Sequence, residues 1–303
     1  MKLDSIKGRT FIVRGGTNTG VYLFEDNSAL IIDPGLSGLR PNKMIKLFEE
    51  NNIDLKYIIN THEHNDHYGS CNQFRKKYEN LTVMSSEHAK LYIENPEVFS
   101  NYIIGGKTNE FMEEKLRSKS LDKVQIDQTI SEGPTILNGE DLGVIDFKGH
   151  TSGSIGVLTK DKVLFVGDLL ISEDIIKKFD FLFIFDIKSQ LESLKKLRDI
   201  DFEYLVLGHG KLTITKEYSE ELIKINESSI QKYINQTRNH LKEPTTLENL
   251  LKKIIKDNNL KNNYKEYHFF KSSLVSLISY LVDNGEVGYL LDDGDLLYYI
   301  KTK

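Results

Sequence analysis

The sequence predicts an α+β protein with a helical domain at its C-terminal end. Three observations predict it. Residues 9–33 alternate β-rich runs with turn signals, which reads as hairpins. From there to about residue 212, strand-like runs alternate with helical stripes. After Lys211 the pattern changes to long helical stripes closed by a hairpin, so we divide the chain into 1–212 and 213–303.

In order, strands are expected at 9–14, 21–24 and 29–32, the last running into Asp33-Pro34-Gly35. Pro41 in a first turn and the stripe Met44, Ile45, Leu47, Phe48 predict a helix over 41–51. The apolar run 56–60 reads as a buried strand and leads into Thr61-His62-Glu63-His64-Asn65-Asp66-His67. Four potential metal ligands stand within six residues there, in the pattern H-x-H-x-D-H. A helix carrying Phe74 and Tyr78 and a strand at 81–84 follow. Residues 86–122 are charged, helical in pattern and rich in aromatics, and read equally well as a lid over the ligand loop or as a surface insertion.

Strands are then expected at 142–147, 154–159, 162–168 and 204–207, with a helix over 187–199. Three of these strands run into a ligand-type residue behind a glycine: His150, Asp168 and His209. Side chains at strand ends converge along one edge of a layered sheet structure, where a metal site would find its remaining ligands. Five of the eight histidines fall in this set; His88, His240 and His268 stand in polar, helical context and read as surface or packing residues.

These motifs, in this order, resemble the full set of the metallo-β-lactamase superfamily. The resemblance covers the first two thirds of the chain. It implies an αββα sandwich, two face-to-face sheets with helices outside and metals along one edge. It further implies that His62, His64 and His150 bind a first metal, that Asp66, His67 and His209 bind a second, and that Asp168 bridges them, with Asp33 fixing the histidine loop from behind. Three imidazoles and an open position suit zinc, with iron or manganese as alternatives. Two metals about 3.5–4 Å apart can share a hydroxide that attacks a small ester or thioester, with Asp66 accepting a proton. Ser70 and Ser152 depart from residues common in the family, but neither position supplies a ligand. Lys177 and Lys178, soon after Asp168, are candidates for contacting an anionic substrate group, or a solvated pair.

In the C-terminal third, helices are expected over 216–242, from 247 behind Pro244-Thr245-Thr246, and behind a cap at Ser272 or Ser273. A hairpin follows at 287–300. This succession resembles a winged-helix module, such as occurs in lactamase-like endoribonucleases. The three aspartates at the hairpin tip oppose a phosphate backbone, so packing, dimerisation or shaping of the active-site mouth is preferred to nucleic-acid binding.

The reading is therefore a two-metal hydrolase of small esters or thioesters. The alternatives are an endoribonuclease, an iron-dependent persulfide dioxygenase and a non-catalytic metal-stabilised binding protein. The chain has 303 residues, a net charge of −5 and one cysteine, Cys71, which excludes an intrachain disulfide. With no apolar run able to cross a bilayer and no secretory pattern at the first residues, a cytoplasmic protein is expected.

Overall fold

The computed structural model describes residues 1–116, 123–211 and 213–301. The first sheet holds seven strands in sequence order: β1 (Asp4–Lys7), β2 (Thr10–Val13), β3 (Thr19–Leu23), β4 (Ser28–Ile32), β5 (Asp54–Ile59), β6 (Thr82–Ser85) and β7 (Gln128–Thr129). β1 to β4 pair antiparallel, and β4 to β7 parallel. The second sheet holds β8 (Gly133–Leu137), β9 (Glu140–Asp146), β10 (Ile155–Leu158), β11 (Val163–Phe165), β12 (Tyr204–Val206) and β13 (Thr213–Thr215), antiparallel except for β11 with β12. The helices of this part are α1 (Leu39–Glu50), α2 (Asn65–Tyr68), α3 (Cys71–Arg75), α4 (Glu87–Glu94), α5 (Glu97–Ile104), α6 (Glu110–Leu116), α7 (Glu173–Phe179) and α8 (Ile187–Asp199).

The layering follows from the two-residue period of the strands. β4 is buried along its whole length. Its Ala29 and Ile31 pack with Met44 and Phe48 of α1 and Phe74 of α3, while Leu30 and Ile32 face the second sheet and pack with Val144, Val157 and Phe165. β12 divides likewise: Val206 points between the sheets, and Leu205 points outward to Leu194 and Leu197 of α8. Helix, sheet, sheet and helix thus stack in that order, because each central strand is apolar on both faces.

The remaining elements are α9 (Lys216–His240), β14 (Thr245–Thr246), α10 (Leu247–Asp257), α11 (Tyr264–Asp283), β15 (Val287–Asp292) and β16 (Asp295–Ile300). The three strands form a small antiparallel sheet in the order β14-β16-β15. Leu222 and Ile230 of α9, Leu250 and Leu251 of α10 and Leu274 and Leu277 of α11 belong to the same core as Leu164 and Leu205 of the second sheet.

Several expectations need correction. The last long helix is not capped by Ser272 or Ser273. It begins at Tyr264 behind Asn263, whose side chain accepts the Glu266 amide at 3.0 Å. Ser273 instead accepts the Ile184 amide at 3.1 Å and Ser276 the Ile187 amide at 2.9 Å, tying α11 to the segment that enters α8. The strand expected over 162–168 ends at Phe165, because the chain turns at Gly167, which has φ +52°. β8, absent from the sequence reading, is an edge strand carrying Pro134, and its Ile136 is exposed, so it lacks the apolar alternation of a central strand. The segment 86–122, read as either a lid or a surface insertion, contains α4, α5 and α6; its residues 117–122 lie outside the described residues.

Candidate metal centre

The parallel strands β4 and β5 of one sheet, and β11 and β12 of the other, end along one edge of the sandwich, and the ligand-type residues follow them. Backbone hydrogen bonds stitch the edge together: Ile155 N–H to the Thr61 carbonyl and Asn18 N–H to the Gly208 carbonyl, both 2.8 Å. His64 is the extended residue before α2, and the single turn of that helix presents Asp66 and His67. Gly208 is required by close approach, since a Cβ there would lie 2.3 Å from Asp168 Oδ1.

The second nitrogen of each imidazole fixes which atom faces inward. His150 Nδ1 lies 3.1 Å from the Phe183 carbonyl and His209 Nδ1 2.6 Å from the Gly16 carbonyl. A carbonyl only accepts, so both Nδ1 atoms carry the proton and both Nε2 lone pairs turn inward. Asp33, in the left-handed region at φ +55°, accepts the Thr61 amide and hydroxyl at 2.7 Å each and His67 Nδ1–H at 2.8 Å. The Thr61 hydroxyl, having donated to Asp33, accepts from His62 Nδ1 at 3.1 Å, which frees His62 Nε2. His64 is reversed: its Nδ1 stands 3.0 Å from His150 Nε2.

The inward atoms form two groups, His62, His64, His150 and Asp168, and Asp66, His67 and His209. Tetrahedral zinc with bonds near 2.0–2.1 Å separates its ligands by about 3.3 Å. His150 Nε2 lies 3.6 Å and His62 Nε2 4.0 Å from Asp168 Oδ2. In the second group, His67 Nε2 to His209 Nε2 is 3.3 Å and His209 Nε2 to Asp66 Oδ2 3.2 Å. Asp168 reaches both groups, with His209 Nε2 3.4 Å from its Oδ2 and His67 Nε2 3.5 Å from its Oδ1. His62 Nε2 and Asp168 Oδ1 are buried with no hydrogen-bond partner, a costly arrangement that bound cations would resolve. The residues fit two metal ions with Asp168 between them.

Electrostatics separates the histidines. Burial, with the neighbouring imidazoles, holds His64 down to about 3 and His62 well below its ordinary value, so both stay neutral. Burial also disfavours charge on His67, but Asp33 and Asp168 outweigh it and lift His67 to about 10. The Asp168 carboxyl is buried, yet His209 and His67 hold it well below the usual carboxylate range.

A cleft of about 360 Å³ opens onto His64, Asp66, His150 and Asp168. Its walls come from α4 and α5 (Tyr92, Phe99), from Phe183 and from α11 (Lys265, Phe269). Lys177 and Lys178 are not among the lining residues; both lie on α7, where Lys177 pairs with Glu173 at 2.7 Å and Lys178 lies over the Phe179 ring. Among the described residues, the cation that lines the cleft is Lys265. The sequence reading assigned Glu63 no role. It lines the cleft, its carboxylate accepts the Thr151 hydroxyl at 2.8 Å, and burial pushes it up to about 7. A charged residue between two ligand histidines was the available signal. His240 pairs with Asp257 at 2.8 Å, and the Cys71 thiol is buried and pushed up to about 12 by that burial.

Residues 13–209 match the metallo-beta-lactamase superfamily. The hydroxyacylglutathione hydrolase of Prochlorococcus marinus (strain MIT 9301) is 27% identical over 176 residues, which is 57% of this chain and 57% of that protein. The match thus spans little more than half of that relative's length. Among solved structures, a metallo-beta-lactamase family protein from Thermus thermophilus superposes with a TM-score of 0.71 at 19% identity, covering 94% of both chains. A beta-lactamase domain protein from Burkholderia ambifaria gives 0.75 at 13% identity, covering 99% of this chain and 93% of that one. Those two likenesses concern the fold, which extends through the C-terminal helices and small sheet. With the family match running from β2 to the last ligand, the chain belongs to the metallo-beta-lactamase superfamily.

Proposed function

We propose that the protein is a two-metal hydrolase of small acyl esters or thioesters. The carrying observation is the cleft: a space of about 360 Å³ whose floor is His64, Asp66, His150 and Asp168. That volume is at the small end of sites for small molecules and suits a compact substrate rather than a polymer. Hydroxyacylglutathione, in the name of the Prochlorococcus relative, is an acyl thioester, which supports this bond type. The donor set, mainly imidazole, suits zinc and is poorer for manganese.

Bound metals would supply Lewis acidity and an activated water. The chain's own residues do the rest. Asp33, Phe183 and Gly16 hold three imidazoles in the tautomer that turns Nε2 inward. Asp66, its side chain 41% exposed at the cleft, is placed to accept a proton and release it to solvent. Residues 213–303 serve as a winged-helix-like scaffold that shapes the mouth of the site. The order helix, strand, helix, helix, hairpin supports this reading, and Asp292, Asp293 and Asp295 at the hairpin tip argue against a phosphate-binding role.

The test is thiol release from acyl thioesters by the zinc-loaded protein, beside single-stranded RNA cleavage and oxygen uptake with a persulfide. Thiol release that Asp66→Ala abolishes is the expected result. RNA cleavage or oxygen uptake without thiol release would overturn it.

A further inference from the structure

The cleft is chemically lopsided. On the His64–His150 side it is walled by three rings from separate parts of the chain: Phe99 from α5, Phe183 from the segment before α8 and Phe269 from α11. Phe99 meets the His64 ring edge-on at 5.4 Å, and Phe183 lies 5.5 Å from His64 and 5.7 Å from His150. Phe269 closes the group, 5.2 Å from Phe183 and 6.2 Å from Phe99. Each of the three remains half-buried, so ring surface is left facing the cleft. Apolar surface beside convergent polar groups marks a place where a ligand excludes water.

One helical turn before Phe269, Lys265 stands on the same face of α11, its ammonium 5.2 Å from the Phe269 ring centroid. It has no acidic partner among the described residues, whereas Lys271, further along the helix, pairs with Glu248 at 3.0 Å. Moving outward from the ligand histidines, the wall therefore runs from imidazole to aromatic ring to free ammonium.

We infer that the acyl half of the substrate is amphipathic: a ring-sized apolar group beside the reacting carbonyl, ending in a carboxylate or similar anion held by Lys265. This rests on the ester or thioester reading above and names the substrate class within it. Phe99, Phe183 and Phe269 select the apolar part by taking its surface out of water. Lys265, exposed at the rim, reads the terminal charge and does so in a salt-dependent way.

The experiment compares S-acetyl, S-phenylacetyl and S-(4-carboxyphenylacetyl) thioesters of N-acetylcysteamine with the zinc-loaded protein. The expected order of kcat/KM rises from acetyl to phenylacetyl by roughly tenfold or more, and again to the carboxylated acyl group by roughly fivefold at low salt. Phe269→Ala should remove the first step through KM, with zinc content unchanged. Lys265→Ala, on an exposed side chain, should remove the second step and its salt dependence. Equal turnover of acetyl and phenylacetyl compounds by the wild type would overturn the inference while leaving thioester hydrolysis standing. If none of the three is hydrolysed, the hydrolase reading fails, and calorimetric binding of 1,4-phenylenediacetate to the zinc-loaded protein decides the inference. Binding weakened by both Phe269→Ala and Lys265→Ala supports it, and binding indifferent to both, or none at all, overturns it.

Discussion

Asp33 Oδ2 and His67 Nδ1 lie 2.8 Å apart, and both side chains are buried. The same carboxylate group receives the Thr61 amide and hydroxyl. One residue, held in a left-handed backbone conformation, thereby fixes the end of β5 and the tautomer of a ligand on α2. In Asp33→Asn an amide would have to satisfy three donors while adding two N–H donors of its own. Metal affinity should fall roughly 10–100-fold with little change in fold, as measured by chelator competition and circular dichroism. Unchanged affinity would refute the role of Asp33.

Gly208 bounds the site on the other sheet. In Gly208→Ala the new methyl group would meet Asp168 Oδ1 at 2.3 Å and His67 Cε1 at 2.8 Å, and the Asp168 carboxylate must move. We expect loss of at least one metal per chain by elemental analysis, with the melting transition of the metal-free protein nearly unaltered. Retention of two metals would show that Asp168 does not need its observed position.

Away from the site, Arg9 clasps Glu140 with bonds of 2.7 and 2.6 Å, and the buried Tyr22 hydroxyl donates to the same carboxylate at 2.7 Å, joining the two sheets. Arg9 foremost, against the burial that opposes it, lowers the Glu140 carboxyl to about 2. A depressed folded-state value means that this stabilisation is complete above the ordinary glutamate value, about 4.3, and is lost as pH falls through about 2. Glu140→Gln should be less stable at pH 7 by roughly 1–3 kcal/mol and should lose less stability than the wild type between pH 5 and 2. Denaturant titrations across that range test the sign; parallel curves would contradict it.

Thr151 supplies the hydroxyl that reaches buried Glu63 at 2.8 Å. Thr151→Val keeps the shape and removes the donor, leaving a buried carboxyl less satisfied. A loss of roughly 1–3 kcal/mol is expected in urea denaturation, and Thr151→Ser should restore most of it.

The residues that the structure gathers into two candidate metal groups were legible in the sequence because each sits in a short motif at the end of an apolar run, and spacing in the chain carries that information. Both sheets were legible where strands are buried on both faces, as β4 and β12 are. β8 was not, because an edge strand with Pro134 lacks the alternation that marks a strand. The cleft was least legible. Phe99, Phe183 and Phe269 are far apart in the chain and individually ordinary, and only the packing of α11 against the catalytic layers brings them together. Lys265 acquires meaning from lacking, among the described residues, the acidic partner that Lys177 and Lys271 have.

The position of α11 in the chain also bears on synthesis. Every residue of the two candidate metal groups, from His62 to His209, leaves the ribosome before Lys265 and Phe269 do, so the α11 part of the cleft wall is the last to be made. The tying of Ser273 and Ser276 to the Ile184 and Ile187 amides then makes the closing of that wall the same event as the completion of the second sheet's outer core.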